Sequence, residues 1–335
     1  MNNNHKSGFR QAFLDFPKQF DEAIALSKDF NIQGEFKHIL VAGMGGSAWP
    51  AEILDTWLKS ESGSYVSVIR DYDLPLQLPE QTLVVISSYS GNTEEPLTVY
   101  QRAKKRNLPL AAICSGGLLK ECCEADNVPY IEIPQGLVPR MATGYLFTAL
   151  ARIVFKAIPS LKSDSLSLTT ISLMAKKLKP AKLDFQSKEL AKKLKNKIPL
   201  IYTPENLKVL GYVWKIKLNE GVKIPAFCNS FPELNHNEFS IFTDPEFQGI
   251  NPVVIIFKDP EDDAQLIKRI DLSAEIIEQK DVPVEIITVI GENMLEKIFA
   301  NILLSDWLTY YLAEIYNIDP LTTDLQEKFK KQMAS

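Results

Sequence analysis

A run of hydroxyl-bearing residues at positions 87–93 is the strongest chemical signal in this chain of 335 residues. The run reads Ser-Ser-Tyr-Ser-Gly-Asn-Thr; it follows the apolar residues 82–86 and precedes an amphipathic segment, 94–106. This order predicts a strand, a polar loop and a helix. Because a helix N-terminus carries unpaired N–H groups and a partial positive charge, it is a ready site for an anion such as phosphate.

Three side chains of this loop could bind the same anion. The hydroxyl groups of Ser88, Ser90 and Thr93 can donate to phosphate oxygens, and Gly91 lets the backbone turn closely. An ordinary helix cap would need only one hydroxyl. We therefore predict that Ser88, Ser90 and Thr93 bind a phosphate group.

A second glycine-containing loop follows the strand-like residues 38–42. It includes Gly45, Gly46 and Ser47, and its spacing departs from the G-x-G-x-x-G pattern of dinucleotide-binding loops. In a doubly wound sheet, the loops of neighbouring strands meet at the carboxyl ends of the strands, where ligands bind. The two loops could together enclose one sugar phosphate; the alternative is a tight turn that packing requires.

Four charged or titratable side chains complete the set of candidates. Arg140 precedes an apolar helical pattern, where a cation is unfavourable unless it pairs with a carboxylate or faces a ligand oxyanion. Glu220 ends a helical pattern before Gly221, and the negative end of a helix dipole makes a carboxylate a better proton acceptor. His236 lies in a polar loop and is a candidate acid or base, whereas Lys330 alone would be a solvated surface residue. Each has an alternative without a catalytic role: Arg140 could form a structural ion pair, Glu220 could be a solvated surface residue, and His236 could make a loop hydrogen bond.

The composition limits the classes of function. The chain is 45% hydrophobic and 24% charged, which is typical of a globular protein, and its net charge of −5 argues against a broad surface for nucleic acid or anionic membranes. The N-terminal residues lack the apolar segment of a secretory signal, and no apolar run reaches about 18 residues. The four cysteines form no CxxC motif, which favours reduced thiols in a cytoplasmic protein. Three scattered histidines predict no metal site.

Two series of alternating strand and helix patterns predict an α/β fold with parallel sheets flanked by helices on both faces. A Pro/Ser/Lys-rich stretch at 159–165 is the best candidate for a linker, which predicts domains at 1–158 and 166–335. The C-terminal segment could pack back on the first domain. The predicted strands are 38–42, 64–69, 82–86, 109–114, 130–133, 200–202, 225–227, 253–257 and 284–289, and the predicted helices are 52–58, 94–106, 143–157, 207–219, 263–279 and 293–316.

Taken together, the loops and motifs around the candidate residues resemble those of the sugar isomerase (SIS) domain proteins, and more specifically those of the bifunctional phosphoglucose/phosphomannose isomerase family. The hydroxyl loop alone marks a SIS domain, whereas the two patches around Glu220 and His236 are more specific. The matching patches are 43–48, 87–96, 139–140, 219–220 with 225–226, 232–238, 319–320 and the final Lys330. They span nearly the whole chain.

The resemblance implies two doubly wound SIS domains and a homodimer with composite active sites. It implies that Ser88, Ser90 and Thr93 hold the phosphate of a sugar 6-phosphate. Gly45, Gly46 and Ser47 would line the sugar. The family's reaction is aldose–ketose isomerisation of glucose 6-phosphate, and of mannose 6-phosphate, to fructose 6-phosphate, with no metal or redox cofactor.

The resemblance also assigns chemical roles. Glu220 matches the base that moves a proton between C1 and C2, and Arg140 matches the cation that stabilises the enediolate. His236, from the partner subunit, and Lys330 match groups that assist ring opening. Thr323 falls where the family places a residue linked to accepting the mannose epimer.

Two departures and three alternatives remain beside this interpretation. Trp49-Pro50 follows the first glycine loop where small aliphatic residues are expected, and Gly221 stands where alanine is more usual; both could alter epimer preference. A non-catalytic sugar-phosphate sensor would need no base, and the chain shows no DNA-binding motif. The spacing of the glycines argues against an NAD-dependent dehydrogenase. An amidotransferase-type isomerase would need a glutamine-hydrolysing domain with a nucleophilic N-terminal cysteine, which this sequence does not contain.

Overall fold

The computed structural model describes residues 3–243 and 249–333, and side chains from residue 8 onward. The strands are β1 His38–Gly43, β2 Val66–Ile69, β3 Thr82–Ser88, β4 Leu110–Cys114, β5 Tyr130–Glu132, β6 Ile198–Pro204, β7 Phe227–Phe231, β8 Pro252–Lys258 and β9 Val284–Thr288. The helices are α1 Asn3–Asp15, α2 Lys18–Leu26, α3 Trp49–Glu61, α4 Glu94–Lys105, α5 Gly117–Asp126, α6 Thr143–Ala157, α7 Leu168–Lys177, α8 Asp184–Leu194, α9 Lys208–Lys217, α10 Ala264–Glu278, α11 Met294–Tyr316 and α12 Asp324–Met333.

The chain forms two compact units. The N-terminal unit contains Asp15–Leu178 and Met294–Glu296, and the C-terminal unit contains the other described residues. The N-terminal sheet has the order β2-β1-β3-β4-β5, and all its described pairs are parallel. In this doubly wound order the chain reverses direction across the sheet between β1 and β3. Ligands bind at such a reversal, at the carboxyl ends of the strands.

Both faces of the N-terminal sheet are buried. On one face, residues of β1, β3 and β4, such as Leu40 and Val84, pack in one cluster with residues of α4 and α5 that include Tyr100. Aromatic rings pack between α3 and α6, where the Trp57 ring lies 6.1 Å from that of Phe147. Burial on both faces explains why these strands read as continuous apolar runs.

The C-terminal unit repeats the same topology with one strand fewer. Its sheet has the order β7-β6-β8-β9, again with parallel pairs, so its reversal lies between β6 and β8. On one face, Leu200 of β6 and Val254 of β8 share a cluster with Ile270 of α10. Elsewhere in this unit, the ring of Trp214 from α9 meets that of Phe257 from β8 edge to face, with centroids 5.0 Å apart.

The predicted fold class is confirmed, and the differences lie in particular elements. Helix α6 has the predicted bounds. The strand expected at 225–227 begins two residues too early and ends too soon: it runs from Phe227, opposite Leu200, to Phe231, because Pro225 has no N–H to donate to a sheet. Helices α1, α2, α5, α7, α8 and α12 were not among the predicted helices. Helix α5 begins at a glycine that follows another glycine, and α8 is rich in lysine, so neither has a strong apolar period.

Candidate active site

The structure brings the predicted phosphate-binding hydroxyl groups together at the carboxyl end of β3. Ser88 Oγ donates a hydrogen bond to Thr93 Oγ1 at 3.0 Å, and Ser90 Oγ accepts one from the N–H of Asn92 at 3.2 Å. Thr93 immediately precedes α4, yet its side chain makes no capping hydrogen bond. The first N–H groups of α4 therefore lack the side-chain acceptor that an ordinary cap would supply, which favours an anion at this position.

The backbone of the hydroxyl loop packs too closely for any side chain at Gly91. Gly91 has a φ of +70°, and a Cβ atom there would lie 1.8 Å from the carbonyl oxygen of Gly116. The carbonyl of Gly91 also accepts a hydrogen bond from the N–H of Leu119 at 2.9 Å. The loop after β3 is thus held directly against the loop after β4.

Ser47 joins the glycine loop to the hydroxyl loop. Its Oγ accepts a hydrogen bond from the N–H of Tyr89 at 3.0 Å, and its carbonyl accepts one from Ser87 Oγ at 2.7 Å. Gly45 has a φ of +47° and Ser47 is buried. The structure therefore places Gly45, Gly46 and Ser47 at the β1–β3 reversal, beside the hydroxyl loop.

Arg140 lies directly against the glycine loop. It occupies a short 3₁₀ turn, Pro139–Met141, and only 6% of its surface is exposed. A Cβ atom on Gly46 would lie 2.8 Å from the backbone nitrogen of Arg140, so only glycine allows this approach. Arg140 is thus a buried cation whose backbone lies against the glycine loop, and a buried guanidinium can stabilise a developing oxyanion.

The unexpected Trp49 has a structural role behind the loops. Its side chain is fully buried, and its indole N–H donates to Thr143 Oγ1 at 3.1 Å, at the start of α6. The bond connects the helix after the glycine loop to the helix after Arg140. Trp49 therefore fixes the start of α3 relative to the start of α6.

Gln19 was missed by sequence reasoning. Its Nε2 donates to the carbonyl of Met141 at 2.8 Å, and its Oε1 accepts from the N–H of Gly144 at 3.0 Å. These two bonds fix the backbone between Arg140 and α6. Gln19 lies in a separate helix more than 100 residues earlier, and an isolated glutamine in an amphipathic helix carries no signal of such a contact.

Glu220 lies on a π-helical turn, Leu218–Val222, that directly follows α9. The expectation that Gly221 ends the helix is wrong, because the wider turn continues through Gly221 to Val222, and Lys223 takes the left-handed conformation, with φ +61°. Glu220 is half-buried. Single π turns of this kind occur frequently at functional sites.

A buried ion pair anchors the helix that leads to Glu220. Lys217 Nζ lies 2.5 Å from Asp306 Oδ1 of α11, and 2% and 10% of the two side chains are exposed. One turn earlier, the indole N–H of Trp214 donates to the carbonyl of Asn301 at 2.9 Å. Removing one partner of such a pair would leave an uncompensated buried charge. These contacts fix α9, and so the start of the π turn.

His236 is exposed, whereas its neighbours in the motif 232–238 are tied into the C-terminal unit. Glu238 accepts hydrogen bonds from Tyr202 Oη at 2.8 Å and from Asn229 Nδ2 at 2.6 Å, and Asn235 donates to Ser273 Oγ at 2.9 Å. His236 makes no hydrogen bond to any residue within 8–243 or 249–333. Its ring therefore faces solvent from a well-anchored 3₁₀ turn.

Thr323 and Lys330 lie at the C-terminal end of the chain. Thr323 immediately precedes α12, and its carbonyl accepts the N–H of Glu327 at 2.9 Å. Lys330 is exposed on α12 and forms an ion pair with Glu327 at 2.8 Å. Such an exposed pair contributes little to stability and is easily broken. The Lys330 ammonium group is therefore accessible.

Two structure-wide observations bear on the composition arguments. The four cysteines are free thiols. Across 3–243 and 249–333, no helix combines the length and the apolar character that a membrane crossing requires.

The fold and the loops define a class of protein. Two parallel α/β sheets, the first with a hydroxyl-rich loop at its reversal point, are the architecture of the SIS domain. Residues 35–146 match the SIS domain family, and residues 184–333 match the family described as the bacterial phospho-glucose isomerase C-terminal SIS domain. The chain belongs to the bifunctional phosphoglucose/phosphomannose isomerase family, which confirms the resemblance and, at the level of the family, the prediction of an aldose–ketose isomerase.

Individual relatives support this assignment. The chain is 34% identical to a bifunctional phosphoglucose/phosphomannose isomerase of Caldicellulosiruptor bescii, over 97% of this chain and 98% of that protein. It is 30% identical to a D-glucosamine-6-phosphate 4-epimerase of Sulfolobus acidocaldarius, over 71% of this chain and 74% of that protein. Among solved structures, the C-terminal domain of a glucosamine-fructose-6-phosphate aminotransferase from Francisella tularensis superposes with a TM-score of 0.71 at 15% identity, covering 93% of this chain and 96% of that chain. This last likeness shows the fold alone.

Proposed function

We propose that this protein interconverts glucose 6-phosphate, and also mannose 6-phosphate, with fructose 6-phosphate through a cis-enediolate. The observation that carries the proposal is Glu220, a half-buried carboxylate on a π turn whose preceding helix is fixed by a buried ion pair. The loop of Ser88, Ser90 and Thr93 supports a phosphate-bearing substrate, because it presents hydroxyl groups at a helix N-terminus without a side-chain cap.

The proposed chemistry needs one base and one fixed cation. After the sugar ring opens, Glu220 removes the proton from C2 of the aldose and returns it to C1; the hydroxyl proton passes from O2 to O1, so the carbonyl group moves from C1 to C2. Arg140 stabilises the negative charge on the enediolate oxygens, a preorganised contribution of about 3 kcal/mol. His236 and Lys330 assist ring opening by proton transfer, and Gly45, Gly46, Ser47 and Thr323 contact the sugar.

We further propose a cytoplasmic homodimer in which His236 acts in the active site of the partner subunit. Two features of the C-terminal unit support this. His236 is exposed on an anchored turn, and α12 carries an exposed apolar stripe with the i, i+4, i+8 spacing of one helix face, formed by Leu325, Phe329 and Met333. Sedimentation velocity measures the subunit number directly, and a monomer at assay concentrations would contradict the composite site.

The Sulfolobus relative provides a second candidate, the inversion of carbon 4 of an amino-sugar phosphate. A third candidate is a sugar-phosphate-binding regulator without catalysis. Phosphate binding at the hydroxyl loop is common to all three. Only the isomerase requires proton transfer between C1 and C2, so the products distinguish them.

A coupled assay tests the proposal. Fructose 6-phosphate is the substrate, and glucose-6-phosphate dehydrogenase with NADP reports glucose 6-phosphate as it forms. The same reagents with mannose 6-phosphate report both steps in succession, and proton NMR of glucosamine 6-phosphate detects any 4-epimer. Binding of sugar phosphate without turnover would support the regulator instead.

A further inference from the structure

We propose that Lys223 is a positioning residue for Glu220: its ammonium group holds the π turn and ties it to the loop that precedes α12. The inference rests on the proposed function, since it takes Glu220 to be the base. It concerns a side chain that was not among the candidates and that contacts the Glu220 backbone rather than the substrate.

Lys223 has an unusual backbone conformation for a lysine. Lys223 follows the π turn with φ +61° and ψ +30°, the left-handed conformation in which helices usually end with glycine. A residue with a Cβ atom adopts this conformation at an energetic cost. An interaction of the lysine side chain can offset part of this cost.

That interaction is a pair of backbone hydrogen bonds. Lys223 Nζ donates to the carbonyl of Glu220 itself and, at 2.5 Å, to the carbonyl of Thr322, 99 residues further along the chain. The last carbonyls of a helical segment are orphan acceptors at the negative end of its dipole, and a cation satisfies both their hydrogen-bonding capacity and their charge. One side chain thus fixes the peptide group of the proposed base.

The two segments that Lys223 joins are each ordered by their own contacts. In the π turn, Asn219 Nδ2 donates to the carbonyl of Ile224 at 2.9 Å. In the loop, Asp319 Oδ1 accepts from the N–H of Leu321 at 2.9 Å, and the hydroxyl of Thr322 donates to the carbonyl of Asp319 at 3.2 Å. Lys223 therefore joins two ordered segments, so its loss should shift one relative to the other.

The expected effect is on turnover rather than on binding. A displacement of about 1 Å in a catalytic group can reduce turnover about a hundredfold. Glu220 acts on the transition state, so the Michaelis constant should change little. Thr323 follows the tethered carbonyl, so the position of this proposed sugar contact depends on Lys223 as well.

Lys223→Gly separates a positioning role from a structural one. Glycine suits φ +61°, so the variant should melt no lower than the wild type, while kcat should fall at least about tenfold because the tether is gone. Lys223→Arg keeps a cationic donor and should recover most of the lost turnover. Asp281→Gly is the matched control: Asp281 is also exposed and left-handed, with φ +57°, after α10 of the same unit.

Hydrogen–deuterium exchange tests the tether without relying on activity. In Lys223→Gly, the amides of both 218–226 and 319–327 should exchange faster than in the wild type, and Asp281→Gly should leave both segments unchanged. Unchanged exchange in Lys223→Gly overturns the tether, and faster exchange with unchanged kcat overturns the positioning role. A wild type without isomerase activity would overturn the proposed function, and with it the base that Lys223 positions, while the exchange result still decides the tether.

Discussion

Thr309 occupies the space beside Gly221: a Cβ atom added to Gly221 would lie 2.3 Å from Thr309 Cγ2. Thr309 lies on α11 and is buried, so it has little freedom to move away. The glycine next to the proposed base is therefore required by this threonine. The unusual residue at 221 has a packing explanation, and the two positions should be interdependent.

A double-mutant cycle tests that dependence. Gly221→Ala should lower the free energy of unfolding by about 1–3 kcal/mol, the usual cost of overpacking a core, and should reduce kcat by displacing Glu220. Thr309→Ser removes the obstructing methyl group and keeps the hydroxyl. The double variant should therefore recover most of both losses, as measured by urea unfolding and the coupled assay. Strictly additive effects would show that the two sites are independent.

Glu220→Gln should abolish proton transfer while preserving size and hydrogen-bonding capacity. We expect kcat to fall about a thousandfold or more, within or somewhat beyond the range for general acid–base groups. The Michaelis constant should change little, and deuterium incorporation from solvent into C1 or C2 should fall in parallel. Near-native turnover would place the base elsewhere in the chain.

Replacing Ser88, Ser90 and Thr93 together by alanine should weaken phosphate binding. The Michaelis constant should rise at least about tenfold, since each lost hydrogen bond to a charged group is worth about 1.5–3 kcal/mol. Thr98→Ala is the control, because Thr98 lies one turn further along α4 and its hydroxyl donates within the helix, to the carbonyl of Glu94. If the triple variant and the control bind inorganic phosphate equally well, the hydroxyl loop is not the phosphate site.

His38 should make stability depend on pH. Its ring contacts Thr82 Oγ1 at 3.2 Å and Ser67 Oγ at 3.0 Å; burial lowers the pKa of the imidazole, and the nearby carboxylate of Asp55 opposes this only in part. As the pH falls, His38 is therefore protonated in the unfolded chain, near the ordinary histidine pKa of about 6.5, at a higher pH than in the folded protein. The free energy of unfolding should fall as pH drops through that value and on to the lower pKa of the folded state.

The measurement compares wild type with His38→Gln. At pH 7.5 the wild type should have the higher urea midpoint, because it keeps both hydrogen bonds of the neutral ring. At pH 5.5 the difference should shrink, since only the wild type loses the contribution of His38. Carboxylates titrate in both proteins and cancel in the comparison. An equal difference at both pH values would mean that His38 is not responsible.

The sequence could place the residues of the hydroxyl loop together, and the other candidate residues only as separate pieces. Ser88, Ser90 and Thr93 are neighbours in sequence, so a strand–loop–helix pattern was enough to place them together. Arg140 and Gly46 are 94 positions apart, and their contact depends on which strands are adjacent. Gln19 and Lys223 gave no signal, because their contacts with Met141 and Thr322 are made to backbone carbonyls, which every residue possesses.

The sequence by itself determined the alternation of strands and helices, the two parallel sheets and the family. Each of these follows from local hydrophobic periodicity or from a short motif, where neighbouring residues carry the information. Only the tertiary structure decided that the helix passes Gly221 as a π turn, that Thr309 requires glycine there, and that Lys223 holds Glu220. The physical reason is that the contacts of Gly221 with Thr309 and of Lys223 with Thr322 join residues about 90–100 positions apart, set by how α11 and the 319–323 loop pack, and no local pattern encodes such contacts.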